Sequence, residues 1–225
     1  MANTKQKTQE EVRKENIEAT VSKTEQFFNE NSKTIWTVLI AILVIGLAIV
    51  AYSKFIYTPK CAEAMEAAYP AEASFQAGEY ELALNGDGNV LGFAGIIDEY
   101  GAKSGKDVYM YAGLCELQLG NFENAISYLK KYKGTEPILA ARALCCQGDA
   151  YVALENYDSA LKCFLAAANK ADNPFAAEFY KKAGLVYEKL GDKARALKMY
   201  KTIKDKYPQS IEGFDIDRYI SAVEE

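Results

Sequence analysis

The chain has 225 residues, a formal net charge of −5 and no histidine. An acidic chain repels phosphate backbones, which argues against nucleic acid as a partner. The absence of histidine removes the commonest general base and the commonest metal ligand.

Residues 1–33 form a charged tail that contains six basic and six acidic residues. Two interpretations fit this composition: a helix continuous with the segment that follows, and a mobile tail that becomes ordered only against a partner.

Residues 34–53 are twenty consecutive residues without a charge, enclosed by Lys33 and Lys54. As a helix they would be about 30 Å long, which matches the hydrocarbon core of a bilayer. Trp36 and Tyr52 stand near the two ends, where aromatic rings prefer the headgroup level. A core helix of a soluble protein rarely stays uncharged all round, and a signal peptide has a shorter apolar run. The segment therefore predicts a single transmembrane anchor.

The orientation of this anchor follows from the Lys/Arg bias. The tail holds six such residues, whereas only Lys54 and Lys60 follow the anchor before Lys103. The positive-inside rule then predicts a cytoplasmic N-terminus and a C-terminal domain on the other side of the membrane. Five cysteines count against export, because oxidising compartments tend to pair or remove thiols. Residues 54–61 would be a linker.

Beyond Pro59 the sequence is helical in pattern and contains internal repeats. Small and aromatic residues recur at intervals of 35 or 36 positions in three units. The recurring positions are Gly113, Ala125 and Leu129, then Gly148, Ala160 and Phe164, then Gly184, Ala196 and Tyr200.

This pattern resembles the tetratricopeptide repeat (TPR), a helix–turn–helix unit of 34 residues. The resemblance implies an all-α fold, in which a transmembrane helix precedes a solenoid with three TPR units at 106–210. The small residues let the two helices of a unit approach closely, and aromatic residues fill the gaps between units. Departures include Glu116 at a tyrosine position and Glu155 at a turn glycine.

Two further segments extend the predicted solenoid. Residues 62–105 resemble a degenerate first unit, with an insertion around 85–89 and with Pro70 expected to kink its first helix. Residues 211–225 are predicted to be a capping helix, which solenoids need for solubility.

The sequence contains only weak motifs for metal binding or catalysis. Residues 85–89 place oxygens at alternate positions as in a calcium loop, but Ile96 stands where a bidentate glutamate belongs, so a turn is favoured. Cys115, Cys145, Cys146 and Cys163 fit small buried side chains better than a zinc or redox site. No P-loop, dinucleotide turn or nucleophile elbow is present. We expect no enzyme, cofactor, metal or small-molecule substrate.

The TPR resemblance instead implies a groove for a protein or peptide, lined by the first helices of the units. The groove residues that the repeat frame implies are Met110, Leu114, Leu117, Arg142, Asp149, Lys181 and Leu185. The lining begins apolar and becomes charged. It lacks the cluster of cations that grips a C-terminal carboxylate in other TPR domains.

The layout of tail, anchor and exported TPR domain looks like the YfgM-type ancillary subunit of the Sec translocon. That family links the translocon with chaperones outside the inner membrane, so the resemblance implies a bacterial inner membrane and a periplasmic TPR domain. The alternatives are an adaptor or structural subunit of another envelope complex, or a TPR domain that faces the cytoplasm.

Overall fold

The computed structural model describes residues 9–224, with side chains from Glu25 onward. The chain divides into two compact units, Met1–Thr58 and Pro59–Glu225.

The first unit consists of α1 (Gln9–Tyr52) and a π-helical segment, Ser53–Tyr57. Because α1 begins at Gln9, the tail is helical from residue 9; residues 1–8 lie outside the described part. Residues 54–61, expected as a linker, are helical as well. Among the described residues, one helical stretch is long and apolar enough to cross a membrane, and none of its apolar window is buried.

The second unit is built from helices alone, apart from short turns and one isolated bridge. Its helices are α2 (Thr58–Gln76), α3 (Tyr80–Asn85), α4 (Phe93–Tyr100), α5 (Lys106–Gln118), α6 (Phe122–Lys131), α7 (Pro137–Ala153), α8 (Tyr157–Ala171), α9 (Ala176–Lys189), α10 (Lys193–Lys206) and α11 (Ile211–Glu224).

Helices α5 to α10 form three hairpins, α5–α6, α7–α8 and α9–α10. Each hairpin turn has one residue in the left-handed region, where glycine is favoured. These residues are Gly120 (φ 81°), Glu155 (φ 57°) and Gly191 (φ 75°). The second helices of the last two hairpins are capped by Asn156 and Asp192, which accept hydrogen bonds from the backbone N–H groups of Ser159 and Arg195.

The recurring glycines make room for a large side chain on the second helix of the same hairpin. A Cβ atom at Gly113 would lie 2.6 Å from Leu129 Cγ, and one at Gly148 would lie 2.5 Å from Phe164 Cε1. A Cβ at Gly184 would overlap the Tyr200 ring. These large residues therefore pack inside a hairpin, rather than only between successive units as the sequence pattern indicated.

The segment before α5 contains a hairpin whose second helix is divided in two. Helix α2 continues through Pro70. The inserted residues between α3 and α4 are ordered by a bridge between Gly86 and Leu91. Phe93, at the start of α4, is fully buried and stacks on Tyr111 of α5, with ring centroids 5.1 Å apart.

Helix α11 covers the other end of the repeats. It packs against α10 and α9 and buries Ile216, Ile220 and Val223. Ile211 and Phe214 on the same helix remain 85% and 78% exposed.

Candidate functional site

The surface between α7 and α9 carries a group of ion pairs with a cavity on either side, and we call it the α7–α9 face. On α7, Ile138, Arg142, Asp149 and Val152 follow helical spacing and share one side of the helix. On α9, the residues with the same relationship are Phe175 (its N-cap), Glu178, Lys182, Leu185 and Lys189.

Ion pairs bridge the middle of this face. Arg142 Nη1 donates to Glu178 Oε2 at 2.9 Å, and Lys182 Nζ donates to both oxygens of Asp149 at 2.7 Å. Lys182 Nζ also lies 3.6 Å from Glu178 Oε1. The four side chains join successive repeats and keep their charges balanced. Because they are about a third to half exposed, we expect each pair to change the stability by about 1 kcal/mol or less, in either direction.

Burial sets the electrostatics of this bridge. Desolvation raises the pKa of the Asp149 carboxyl, although the hydrogen bonds from Lys182 act in the opposite direction. The Asp149 charge is thus held in an unfavourable place by its lysine partner.

One side of the bridge opens into a cavity of about 450 Å³, which we call the Leu185 cavity. Its apolar walls include Val152, Phe164 and Leu185, and its charged residues are Asp149, Lys182 and Lys189. Leu185 is 44% exposed. No ion pair holds Lys189 within the described residues, so this cavity has one ammonium group in excess.

The other side opens into a cavity of about 550 Å³, which we call the Ile211 cavity. Exposed apolar side chains from α7, from the N-cap of α9 and from α11 surround it: Ile138 and Leu139, Phe175, and Ile211. Its charged residues are Arg142, Glu178 and Glu212. Glu212 has no ion-pair partner in the described part of the chain, so here one carboxylate is in excess.

The apolar residues predicted on α5 have a different environment. Met110, Leu114 and Leu117 are half-buried and pack against a cluster from α6, the segment after it, and α7. The members of that cluster are Leu129, Tyr132, Ala140, Ala143 and Cys146. The three side chains thus contribute to the packing between repeats, and their role in binding a partner stays a prediction.

The predicted groove residues are therefore only partly brought together. Asp149 and Leu185 line one cavity, and Arg142 lines the other. Lys181 instead points to α11, with Nζ 5.0 Å from the centroid of the Tyr219 ring. The predicted anchor residues Trp36 and Tyr52 lie on α1 and are 59% and 51% exposed.

The repeat frame missed several residues of the face. It selected Lys181, whereas Lys182 forms the ion pairs. It also left out Ile138 and Phe175, which precede Arg142 and Glu178, the first groove positions of the frame on α7 and α9. Helical spacing would have found both, because Ile138 is four residues before Arg142 and Phe175 three before Glu178.

The weaker chemical motifs have structural roles. Asp87 Oδ1 accepts the backbone N–H groups of Asn89 and Val90, both at 2.9 Å, and these bonds lower the pKa of Asp87. This is the geometry of an Asx turn. Within the part of the chain described, no three His, Cys, Asp or Glu side chains are grouped to hold a metal ion.

All five cysteines are free thiols. Cys115, Cys145 and Cys146 are buried, whereas Cys163 is only partly so. Burial raises the pKa of Cys115 to about 12 and that of Cys146 to about 11. Because the thiolate is the reactive form, these two side chains are suited to packing rather than to redox chemistry.

Comparison with known proteins identifies the repeats. Residues 107–137 and residues 147–211 each match a family model of the tetratricopeptide repeat. The hairpins α5–α6, α7–α8 and α9–α10 are TPR repeats. No curated protein matches the chain significantly.

Solved structures with a similar fold include two of MamA. A crystal structure of MamA protein is 18% identical, covers 73% of this chain and 90% of its own, and superposes with a TM-score of 0.53. A second crystal structure of MamA, also 18% identical, covers 68% and 91% with a TM-score of 0.52. At this identity the likeness concerns the fold alone.

Proposed function

We propose that the chain is a membrane-anchored scaffold that docks a protein partner on the α7–α9 face of its TPR domain. TPR domains are protein–protein interaction scaffolds. The observation that carries the proposal is the set of exposed apolar side chains beside two cavities, which includes Leu185, Phe175 and Ile211. Exposed apolar clusters with a charged surround are typical of protein-docking sites.

Residues 34–53 supply the anchor in this proposal. They are uncharged and helical, and their side chains are not buried against other parts of the chain. A stretch of that length matches the hydrocarbon thickness of a bilayer. The Lys/Arg bias favours a cytoplasmic tail and a TPR domain on the periplasmic side.

The finer proposal is an ancillary subunit of the Sec translocon that connects export with periplasmic chaperones. It is supported by the order of tail, anchor and TPR domain, which resembles the YfgM-type subunit. Its partners would then be the translocon itself, a chaperone, or a newly exported chain.

Site-specific crosslinking tests the docking face. A photoreactive amino acid at Leu185 or at Phe175, in the full chain in native membranes, should capture the partner. The matched control is the same amino acid at Lys198, an exposed position on α10. Equal capture from all three positions would contradict docking on this face, and translocon subunits among the products would support the finer proposal.

Thiol labelling tests the orientation. A cysteine added after Glu225, with the five native cysteines replaced, should react with a membrane-impermeant reagent once the outer membrane is permeabilised. Reaction only after the inner membrane is broken would place the TPR domain in the cytoplasm and refute the proposed orientation.

A further inference from the structure

The two cavities of the α7–α9 face differ in their charge. The Ile211 cavity has the unpaired carboxylate of Glu212, and the Leu185 cavity has the unpaired ammonium group of Lys189. Between the two cavities, the opposite charges cancel within the Arg142–Glu178 pair and within the Lys182–Asp149 pair. The face is therefore apolar at both ends, with opposite charges at those ends and a neutral centre.

The spacing of the cavities follows from helix geometry. Leu139 lines one cavity and Val152 the other, and thirteen residues of α7 separate them, which corresponds to about 20 Å. On α9, Phe175 and Leu185 are separated by ten residues, or about 15 Å. An occupant that fills both cavities must present two apolar side chains roughly 15–20 Å apart.

The walls of this face also constrain the backbone of the occupant. Both walls are α-helices, whose interior N–H and C=O groups are already bonded within the helix. An extended segment would find few backbone partners there, whereas a helix brings its own hydrogen bonds. In a helix, side chains about eleven positions apart lie on the same side and are about 16 Å apart, which fits the cavity spacing.

We infer that the partner segment is an amphipathic helix with two apolar anchors about three turns apart, one beside a basic residue and the other beside an acidic residue. The basic residue meets Glu212 at the Ile211 cavity, and the acidic residue meets Lys189 at the Leu185 cavity. This inference rests on the proposed docking function, and it adds the shape of the partner segment and the charge that meets each cavity.

Three synthetic helical peptides test the charge pattern. All carry two leucines eleven positions apart. The first has lysine beside one leucine and glutamate beside the other, the second has glutamate beside both, and the third has lysine beside both. Binding to the full chain in detergent micelles is measured by fluorescence anisotropy. We expect the first peptide to bind roughly two- to five-fold more tightly than either of the others, since each exposed charge contact contributes modestly.

Charge reversals in the protein make the test specific. In the Lys189→Glu variant both cavities favour a cation, so the peptide with two lysines should bind most tightly. In the Glu212→Lys variant both cavities favour an anion, so the peptide with two glutamates should be preferred. Lys198→Glu, on α10, changes the net charge as Lys189→Glu does and should leave the original order unchanged.

The outcomes separate this inference from the proposed function. An unchanged order of affinities in both reversal variants, or equal affinities for all peptides, would overturn the inference. If no peptide binds but Leu185 still crosslinks a partner in membranes, the inference is wrong and the docking function stands. If Leu185 crosslinks only a second copy of this chain, the occupant is that copy, and the partner assigned here is wrong. If no peptide binds and Leu185 crosslinks no partner, the proposed docking function is wrong as well.

Discussion

The two junctions between successive first helices of the TPR domain are closed in different ways. Around α5, α6 and α7 the junction is apolar: Met110, Leu114 and Leu117 pack against a buried cluster. Between α7 and α9, charged side chains make the bridge, and cavities of about 450 and 550 Å³ remain on its two sides.

The hairpins at both junctions are alike, so they do not explain the difference. Gly113, Gly148 and Gly184 each accommodate a large side chain of the second helix. What differs is the outward stripe of the first helices, which is apolar on α5 and largely charged on α7 and α9. The apolar stripe of α5 packs against the buried cluster of its junction, and the cavity of about 430 Å³ at that junction is lined instead by α6, the segment after it, α7 and Lys170. The long charged side chains of α7 and α9 span their junction without filling it. A junction of this second kind leaves surface for a partner.

Replacing Met110, Leu114 and Leu117 together with serine should break the apolar junction. Each side chain is half-buried, and full burial of such a residue is worth about 1.5–3 kcal/mol, so we expect a loss of roughly 3 kcal/mol in all. The measurement is urea unfolding of the full chain in detergent, followed by the near-ultraviolet circular dichroism of its tyrosines.

The matched change in the other junction is Leu185→Ser. Leu185 is 44% exposed and lines an open cavity, so its replacement should change the unfolding midpoint far less. If the triple variant unfolds like the natural protein and instead loses its partner, the apolar residues belong to the binding surface and the comparison is wrong.

The Gly184→Leu substitution tests whether the hairpins are as tightly packed as the comparison requires. A Cβ atom at this position already overlaps the Tyr200 ring, so a leucine overpacks the hairpin and should cost 1–3 kcal/mol or more. Thermal unfolding of the full chain measures the effect, with Lys198→Leu on the exposed side of α10 as control. A melting temperature equal to that of the control would contradict the packing.

Sequence reasoning could predict the repeat fold because its determinants are local and recur. The glycine of the first helix, the alanine of the second and the turn residue are visible as spacings, and Glu155 could be recognised at a glycine position from those spacings alone. The division of the degenerate second helix into α3 and α4 was less accessible, because the ends of an insertion are set by its own turn around Asp87.

The candidate site could be predicted only in part. The repeat frame selected Arg142, Asp149 and Leu185, which line the two cavities of the α7–α9 face, but it could not decide which of two adjacent lysines reaches Asp149. That choice depends on the positions of neighbouring helices: Lys182 faces α7, whereas Lys181 faces Tyr219 on α11. The cavities were equally inaccessible, since they arise from the space that the side chains of several helices leave open.

The Glu155→Gly substitution should stabilise the α7–α8 turn. Glu155 has φ 57°, and this left-handed conformation costs an L-residue about 1–2 kcal/mol. Glycine avoids that cost, but its greater freedom in the unfolded chain offsets roughly half of the stability gained. We therefore expect about 1 kcal/mol or less of added stability by urea unfolding. Gly191→Ala is the reverse change at an equivalent turn with open space around it, and it should destabilise. Equal signs for the two variants would contradict the equivalence of these turns.

The smallest effect concerns Asp149, whose charge distinguishes the bridged junction from the apolar one. Burial raises the pKa of Asp149 above its ordinary value despite the hydrogen bonds from Lys182. The folded protein then binds the proton more tightly than the unfolded chain, so the contribution of this group to stability falls as the pH rises through the raised pKa.

Asparagine resembles the neutral carboxyl group, so Asp149→Asn should be as stable as the natural protein, or slightly more stable, at pH 7. Any gain should disappear as the pH falls towards the ordinary pKa of about 4. Because 35% of the Asp149 side chain is exposed, solvent screens the effect and it should be small. Urea midpoints measured from pH 4 to pH 7.5 supply the check. A variant that is less stable at pH 7, with a deficit that shrinks in acid, would show that the bridge is a stabilising contact. Both junctions would then be held by stabilising contacts, and they would differ only in shape.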